Sequence, residues 1–516
     1  MSYKAIIEQN PSARSTGLKE ENVFMRAQRV FSLDDQKQFA DISGDHNPMH
    51  LDALHARRTQ AGAPVVHGVH LVLWALESLA AAQPDLPGIC RIKAEFAKFV
   101  YLGETVEVTA VPKSATGMRI NISVDNSPRT KLVIDFGDEV SAYPRWSADD
   151  LGIVNASTSP IDSTCENLER RSGRLSFQMT PQEAAAYFPC ATKWIGSKRV
   201  AALASTSHLV GMVCPGLHSI YSGLSVTTCV ESEPDAGLAF RVIESDPRFR
   251  SVEQEVAGGG LSGTVSGFAR TPPVEQVAMQ SLVGVVHPAE FAGSLALIVG
   301  GSRGLGELTA KLIAAGGGDV LITWQSGKED AEKVAREIRS FGGRCDVFPY
   351  DSRNPAAAQI ATLPDAPTHA YYFATPSIFR PQSDAFSSAR LNEFMTIYVE
   401  GFWRLARSLH ARQRDISLYY PSSVAVTQRP VGMTEYAMAK AAGEVLCADM
   451  NVSLSPMKVL VSRLPRLLTD QTATVTPVET ADPLETMLSI VREVQSWPNK
   501  NQTPDQHARQ VLSVAR

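Results

Sequence analysis

Residues 295–324, LALIVGGSRGLGELTAKLIAAGGGDVLITW, leave this chain few folds to choose from. A short apolar run enters a glycine-rich turn, an amphipathic stretch follows, and a second apolar run closes the segment. Two buried strands joined by a helix lie parallel, because only a crossover connection brings the second strand alongside the first. The same strand–helix alternation continues from about Ala292 to the end, which predicts an open parallel sheet with helices on both faces: an α/β, Rossmann-like, doubly wound domain over residues 292–516. Gly300, Gly304 and Gly306 allow a tight turn and bring a pyrophosphate close to a helix N-terminus, whose free N–H groups and dipole favour an anion.

Such a domain accounts for less than half of the 516 residues, and one core does not grow to that size, so two to four domains are expected. The 44% hydrophobic and 20% charged content is that of a globular protein rather than a disordered one. A net charge of −5 leaves no strongly basic face and argues against nucleic acid as a partner. Seven scattered cysteines, none in a CxxC pair, read as reduced thiols of a cytoplasmic protein. Met1–Asn10 is polar, Ser513–Arg516 matches no targeting tail, and no apolar run approaches the roughly 20 residues needed to span a bilayer, so no membrane partner is expected.

The chain ahead of the Rossmann-like block divides in two. The first block, residues 1–145, has helical patterns at Leu33–Ile42 and His67–Ala82, then alternating strands at Ile89–Val100, Thr105–Ala110, Met118–Val124 and Lys131–Gly137. Residues 146–174, rich in Ser, Thr, Asp and Pro, read as a linker, and a second block covers 175–275. TPPVEQ leads into another linker, 276–291. Both blocks have a glycine opening an apolar helix (Gly68, Gly196), a Pro-Gly after it (Pro87-Gly88, Pro215-Gly216) and strands beyond. This pattern is an internal repeat of a helix wrapped by a curved antiparallel sheet, an α+β arrangement, with AGGGLSGT (Ala257–Thr264) as a tight bend between late strands.

The string SGDHNPMHLD, residues 43–52, carries the first candidate chemistry. Asp45 and His50 flank an Asn-Pro pair, which predicts a turn that points both side chains at one place. His67-Gly68 follows at the start of the apolar helix, where backbone N–H groups are free. A carboxylate, an imidazole and an N–H donor suit proton transfer beside a carbonyl that becomes an oxyanion. His46, His55 and His70 are read as surface or core residues. No Cys or acid completes a tetrahedral set around the histidines, so no metal is expected.

SGDHNPMH followed by HG resembles the signature of MaoC-like, (R)-specific enoyl-thioester hydratases and dehydratases, which have hot-dog folds; the likeness covers about residues 25–140. The resemblance implies that Asp45 and His50 hold the water added to, or removed from, C2=C3 of an acyl thioester. It also implies that the Gly68 N–H binds the thioester carbonyl, and that Asn47 supports the loop or touches the dyad. The second block has no D-x4-H string, and His218 is not equivalent to His50. Block two therefore reads as a degenerate half that completes a double hot-dog and shapes an acyl tunnel.

In SLYYPSSVAVTQRPVGMTEYAMAKAAGEVL, Tyr436 and Lys440 stand one helical turn apart, and Ser423 lies thirteen residues before the tyrosine at a strand end. An ammonium stabilises a phenolate, so the pair suits Tyr436 to give a proton to a ketone oxygen that Ser423 also binds. With G-x-x-x-G-x-G at 300–306, this Ser/Tyr/Lys set resembles the short-chain dehydrogenases/reductases over residues 292 to about 470. The resemblance implies a dinucleotide held by Gly300, Ser302, Arg303, Gly304, Leu305, Gly306, Asp351, Tyr436 and Lys440, with Asp351 at the adenine. TWQSG ends the second strand without an acid to grip a ribose hydroxyl, and Arg303 lies in the glycine loop, which favours NADPH over NADH. Three departures stand out: Tyr398 takes the place of the family's catalytic Asn, FATP (Phe373–Pro376) replaces the usual NNAG, and the usual last strand is missing ahead of the polar tail NKNQTPDQHARQ.

Together the resemblances imply a bifunctional acyl-thioester enzyme. NADPH-dependent reduction of a 3-oxoacyl thioester would give the (3R)-alcohol, and dehydration would give the 2-enoyl thioester, on CoA or acyl carrier protein. The short-chain family also implies a homo-oligomer, dimer or tetramer. Two rival readings stay open: a single-activity enzyme with the other domain as scaffold, and a non-catalytic module that binds nucleotide or acyl carrier.

Overall fold

The computed structural model describes residues 23–139, 151–154, 157–163, 168–230, 237–378, 386–473 and 478–496. Met1–Asn10, Cys165, the tail NKNQTPDQHARQ, Ser513–Arg516 and part of the Ser/Thr/Asp/Pro-rich stretch lie outside the described residues. Two compact units divide the chain at Pro272–Pro273, within the TPPVEQ sequence.

The first unit is an eleven-stranded sheet wrapped around two largely buried helices. Its strands are β1 (Met25–Val30), β2 (Ile89–Phe96), β3 (Thr105–Ser114), β4 (Gly117–Val124), β5 (Ser127–Phe136), β6 (Ile153–Val154), β7 (Ser172–Ser176), β8 (Ser219–Thr228), β9 (Gly237–Asp246), β10 (Ser251–Gly258) and β11 (Leu261–Ala269). The order across the sheet is β1-β3-β4-β5-β2-β8-β11-β10-β9-β7-β6. Leaving the short β6 aside, each half has its second strand innermost, then its fifth, fourth and third, with its first strand outermost. The halves therefore mirror one another across the antiparallel β2–β8 pair, in register from Arg91↔Thr227 to Glu95↔Gly223. Alternation sets the buried face: Val106, Val108 and Ala110 of β3, with Ile120, Ile122 and Val124 of β4, point into one core. That core closes on two helices: Gly68–Ala82, apolar nearly all round, and Ser197–His208, of mixed composition but buried from Val200 to His208. The bend expected in AGGGLSGT is a two-residue hairpin turn between β10 and β11, with Gly259 and Gly260 at φ 59° and 78°, backbone that glycine adopts freely.

The sequence reading needs correction at both linkers. Within 146–174, Ile153–Val154 pairs with Arg174–Leu175, and Leu168 is fully buried in the core. Within 276–291, Leu282, Val286 and Phe291 are buried in the core of the second unit. A few large apolar residues anchor each segment, and they outweigh a polar, proline-rich composition. The turn expected at Asn47-Pro48 is in fact the start of a four-residue helix, Pro48–Leu51: proline lacks only an N–H that a first-turn residue leaves unbonded anyway, and Asn47 caps it.

The second unit is a six-stranded parallel sheet of β12 (Leu295–Val299), β13 (Asp319–Trp324), β14 (Cys345–Pro349), β15 (His369–Tyr372), β16 (Ser417–Ser423) and β17 (Lys458–Leu464). The order β14-β13-β12-β15-β16-β17 is that of a doubly wound Rossmann-like sheet. No seventh strand follows β17 among the described residues, and no described helix is long and apolar enough to cross a membrane.

Candidate active sites

The acid–histidine loop is built between a helix end and a helix start. The helix Leu33–Ser43 begins with a reciprocal Ser32/Asp35 capping box and ends at Gly44, which adopts φ 82° as a left-handed cap. The chain reverses there and delivers Asp45 inward, 2% exposed. Two residues on, the Asn47 side chain accepts the Met49 N–H, and its amide N–H group donates to the carbonyl oxygens of Gly211 (2.7 Å) and Gly216 (3.2 Å). His50 on the following helical turn points back toward Asp45. Its Nδ1 lies 2.8 Å from the Val65 carbonyl oxygen, so Nδ1 carries the proton and Nε2 is left with a free lone pair. Burial pushes the His50 pKa below its ordinary value; Asp45 opposes that push and Arg270 reinforces it.

The second half of the unit supplies the rest of this site. Ser207 Oγ donates to Asp45 Oδ2 at 2.6 Å, and the Asn47 N–H donates to Oδ1 at 3.2 Å. Gly211 lies in a π-helical turn, Leu209–Val213, whose backbone presses on the carboxylate: a β-carbon at 211 would fall 2.2 Å from Asp45 Oδ1. Gly68 is the first residue of its helix, and its N–H has no protein partner among the described residues. A β-carbon there would meet the Phe96 ring at 2.9 Å, so glycine lets that ring close over the helix end. Asp45, His50, Gly68, Phe96, Ser207 and Tyr221 are among the residues lining one cavity, whose empty volume is about 550 Å³ counted to its open mouth.

Asp45, His50 and His67 present atoms within 4.8 Å of one another, close enough in principle to share a cation. As arranged, however, His67 Nδ1 lies 2.9 Å from Gln36 Oε1 and Nε2 lies 3.0 Å from the Asp45 carbonyl oxygen, so neither nitrogen offers a lone pair to a metal. His67 stacks face to face on His50, ring centroids 3.7 Å apart. The HG pair at the helix start is the one sequence signal of His67, and by itself it assigns that histidine no role. Nothing in the sequence points to Ser207 or Gly211. His70 is a core residue, stacked on Phe39 and pushed by burial to about 3.

In the second unit, the glycine loop joins β12 to the helix Gly304–Ala315. A β-carbon at Gly306 would lie 2.2 Å from the Gly300 carbonyl oxygen, and one at Gly301 would lie 2.8 Å from Ile322. Glycine at these positions closes the loop onto the sheet. Gly304, by contrast, has φ 60° and faces open space at the helix N-terminus. This cradle fits a dinucleotide pyrophosphate, with Ser302 and Leu305 on the same turn. Arg303 is engaged: its Nη1 lies 3.0 Å from Asp470 Oδ2, so a ribose phosphate would have to share or displace that carboxylate. Asp351 follows β14 and accepts the Arg353 N–H at 2.9 Å.

Ser423 ends β16, and Tyr436 and Lys440 share one face of the helix Thr434–Ser453. The expected lysine–tyrosine relation needs correction. Lys440 Nζ donates to the Pro421 carbonyl oxygen at 2.6 Å and sits 3.9 Å from the centre of the Tyr398 ring, against 5.8 Å for Tyr436. Burial lowers the Lys440 pKa to about 7 and raises that of Tyr436, which only the bond to Ser423 opposes. An ammonium bonded to a carbonyl and 5.8 Å from the Tyr436 ring centre does little to stabilise a phenolate there. Tyr398 lies in a π-helical turn, Thr396–Gly401, with its hydroxyl 2.5 Å from Thr375 Oγ1 of the FATP segment, so two of the three departures from the short-chain pattern meet in one hydrogen bond.

Comparison with known proteins agrees with this two-part reading. The MaoC like domain family matches residues 16–130, and the short chain dehydrogenase family matches residues 294–364. A short chain dehydrogenase/reductase of a Cryptosporiopsis species is 37% identical over 78 residues, 15% of this chain and 29% of that protein. The 3-oxoacyl-[acyl-carrier-protein] reductase FabG of Aggregatibacter actinomycetemcomitans is 32% identical over 77 residues, 15% of this chain and 32% of that protein. A fatty acyl-CoA reductase of Acinetobacter baylyi is 27% identical over 183 residues, 33% of this chain and 61% of that protein. The chain thus spans about a third of the length of the first two relatives and under two thirds of the third. Among solved structures, a short chain dehydrogenase from Burkholderia cenocepacia in complex with NADP is 22% identical, covering 40% of this chain and 91% of that one, at a TM-score of 0.35. The chain thus carries a segment similar to the MaoC like domain family and, within a unit built on a Rossmann-like parallel sheet, a segment similar to the short chain dehydrogenase family.

Proposed function

We propose that this chain is a bifunctional acyl-thioester enzyme whose first unit is a double hot-dog hydratase/dehydratase and whose second is an NADPH-dependent 3-oxoacyl reductase. One observation carries the reading: a buried carboxylate and a buried imidazole, remote from each other in hydrogen-bonding partners but adjacent in space, face one cavity beside a helix N-terminus with a free N–H. In the hydration direction, the Asp45 carboxylate and His50 Nε2 hold a water molecule. Its oxygen bonds to C3 of the 2-enoyl thioester, one of its protons passes to the dyad, and C2 takes up a proton. Negative charge developing on the thioester oxygen is met by the Gly68 N–H. Dehydration is the reverse.

In the second unit, Gly300, Ser302, Arg303, Gly304, Leu305 and Gly306 would hold the phosphates, with Asp351 at the adenine. A bound reduced nicotinamide would supply the hydride for C3 of the 3-oxoacyl group. Ser423 and Tyr436 bind the ketone oxygen, and Tyr436 gives it a proton as it becomes the (3R)-hydroxyl. Placing NADPH-dependent reduction before dehydration suits acyl-chain synthesis, on CoA or acyl carrier protein, with the second half of the first unit widening the acyl site.

The experiment is a pair of assays on crotonyl and acetoacetyl thioesters of both carriers. Asp45→Asn should abolish hydration and spare reduction, and Tyr436→Phe should do the opposite. A second reading, in which only the first unit is catalytic, is favoured by Lys440 being turned to Pro421 and Tyr398; it expects NADPH binding with no oxidation of NADPH on any 3-oxoacyl thioester.

A further inference from the structure

We infer that His67 is a buried imidazolium that fixes Asp45 and keeps His50 in its neutral, proton-accepting form. The inference deepens the hydratase reading, and its role in turnover rests on that reading; the protonation state itself does not.

Hydrogen-bond bookkeeping around Gln36 carries the argument. The His67 backbone N–H, which can only donate, meets Gln36 Oε1 at 3.0 Å. That fixes the orientation of the amide, since the flipped form would set an NH₂ group against an N–H. The same Oε1 lies 2.9 Å from His67 Nδ1. At the other side of the ring, Nε2 lies 3.0 Å from the backbone carbonyl oxygen of Asp45, another pure acceptor. A neutral imidazole has one N–H and would leave a bare lone pair facing an oxygen at one of these contacts. A doubly protonated ring satisfies both. The far end of Gln36 agrees: its Nε2 lies 3.3 Å from His70 Nδ1, and His70, held neutral by burial, offers that lone pair.

The groups facing His67 are Asp45, His46, His50 and His70. Burial, then the neighbouring His50, His70 and His46, push the His67 pKa well below its ordinary value, and only the bond to the Asp45 carbonyl pulls it up, so it is the pair of acceptor contacts at the two ring nitrogens that holds the proton against this push. His67 is completely buried, and a buried cation persists only where it is paired and fully hydrogen-bonded. Here it has two carbonyl acceptors, and the Asp45 carboxylate lies 3.8 Å from Nε2. The consequence falls on His50, stacked at 3.7 Å with 24° between the rings. Two imidazoliums at that separation repel strongly, so one proton excludes the other. The proton on His67 therefore keeps His50 Nε2 bare, while its contacts hold the Asp45 backbone and carboxylate. His67 touches no substrate in this scheme and is a positioning residue.

The test uses the full chain with ¹⁵N-labelled histidine. The His67 signals are identified by their loss in His67→Gln, or by through-space contacts to the His50 ring if that variant does not fold. At neutral pH both ring nitrogens of His67 should carry a proton; one bare nitrogen overturns the inference. In His67→Gln, the acid limb of kcat/KM for enoyl-thioester hydration, which reports His50, should move up by about one unit or more, because the repelling charge is gone. An unmoved acid limb overturns the electrostatic role. If the wild-type chain hydrates no enoyl thioester, the dyad reading fails, and the nitrogen spectra still decide the charge on His67.

Discussion

Replacing Gly211 by alanine tests whether the second half of the first unit positions the carboxylate of the first half. The new β-carbon would stand 2.2 Å from Asp45 Oδ1 and 2.6 Å from both Cγ and Oδ2, where ordinary contact begins near 3.4 Å. Relief therefore requires a displacement of about 1.2 Å (3.4 minus 2.2). The carboxylate is not a free end that can swing aside. Ser207 holds Oδ2 at 2.6 Å and the Asn47 N–H holds Oδ1 at 3.2 Å, so moving it breaks at least one of these bonds. Moving the backbone instead carries the Gly211 carbonyl away from the Asn47 amide, now at 2.7 Å, and so disturbs the loop that bears Asp45. Gly211 does not have a positive φ, so the effect is crowding rather than backbone strain. Overpacking of this size costs about 1–3 kcal/mol of stability, and a misplacement of about 1 Å in a reacting group costs on the order of 10²-fold in rate. Gly211→Ala should therefore lower crotonyl-thioester hydration on the order of 10²-fold, with a modest drop in the unfolding midpoint and NADPH binding unchanged. Full hydration with an unchanged midpoint would refute the placement of Asp45 argued above.

Four further outcomes are expected. Gly306→Ala, whose β-carbon would press on the Gly300 carbonyl at 2.2 Å, should abolish NADPH binding, read by fluorescence titration, and leave hydration intact. Asp470→Asn should loosen the ion pair at Arg303 and tighten NADPH relative to NADH; unchanged or weaker NADPH binding would show that Arg303 does not meet the ribose phosphate. Because burial depresses His50, the acid limb of hydration should lie below the ordinary histidine value of about 6.5, and a limb at or above that value would contradict the buried-base assignment. Stability should fall on acidification: His70 and His369 are pushed by burial to about 3 and about 4, so below about pH 6.5 the unfolded chain takes up protons that the folded one refuses. Each then loses about 2 kcal/mol by pH 5 (1.5 units at 1.36 kcal/mol), one in each unit, and chemical-denaturation midpoints that do not move between pH 7 and 5 would contradict this.

Local placement is legible in the sequence wherever it is set by a few residues. The His-Gly at a helix start, the glycine loop and the Tyr436/Lys440 turn stand on the elements that periodicity and turn residues imply, because a helix start or a strand end is set by its nearest neighbours; His50 instead stands on a short helix, Pro48–Leu51, where a turn is expected. Two features of the site were not legible, for a physical reason. The Ser207 hydroxyl reaches Asp45 across 162 residues, and the Asn47 amide reaches the Gly211 carbonyl across 164. Such contacts exist only because β2 and β8 join two halves into one sheet, and no local pattern encodes that register. The lysine was misread for a related cause: its spacing from Tyr436 is local, but the direction of Nζ is decided by the Tyr398 ring and the Pro421 carbonyl, which come from other elements. The second half serves the first site by the same geometry. Its helix ends in the π-helical turn Leu209–Val213, and that turn seats Asp45 and accepts Asn47. A substitution at Gly211 or Ser207 should therefore be felt at residue 45 rather than in the half where it is made.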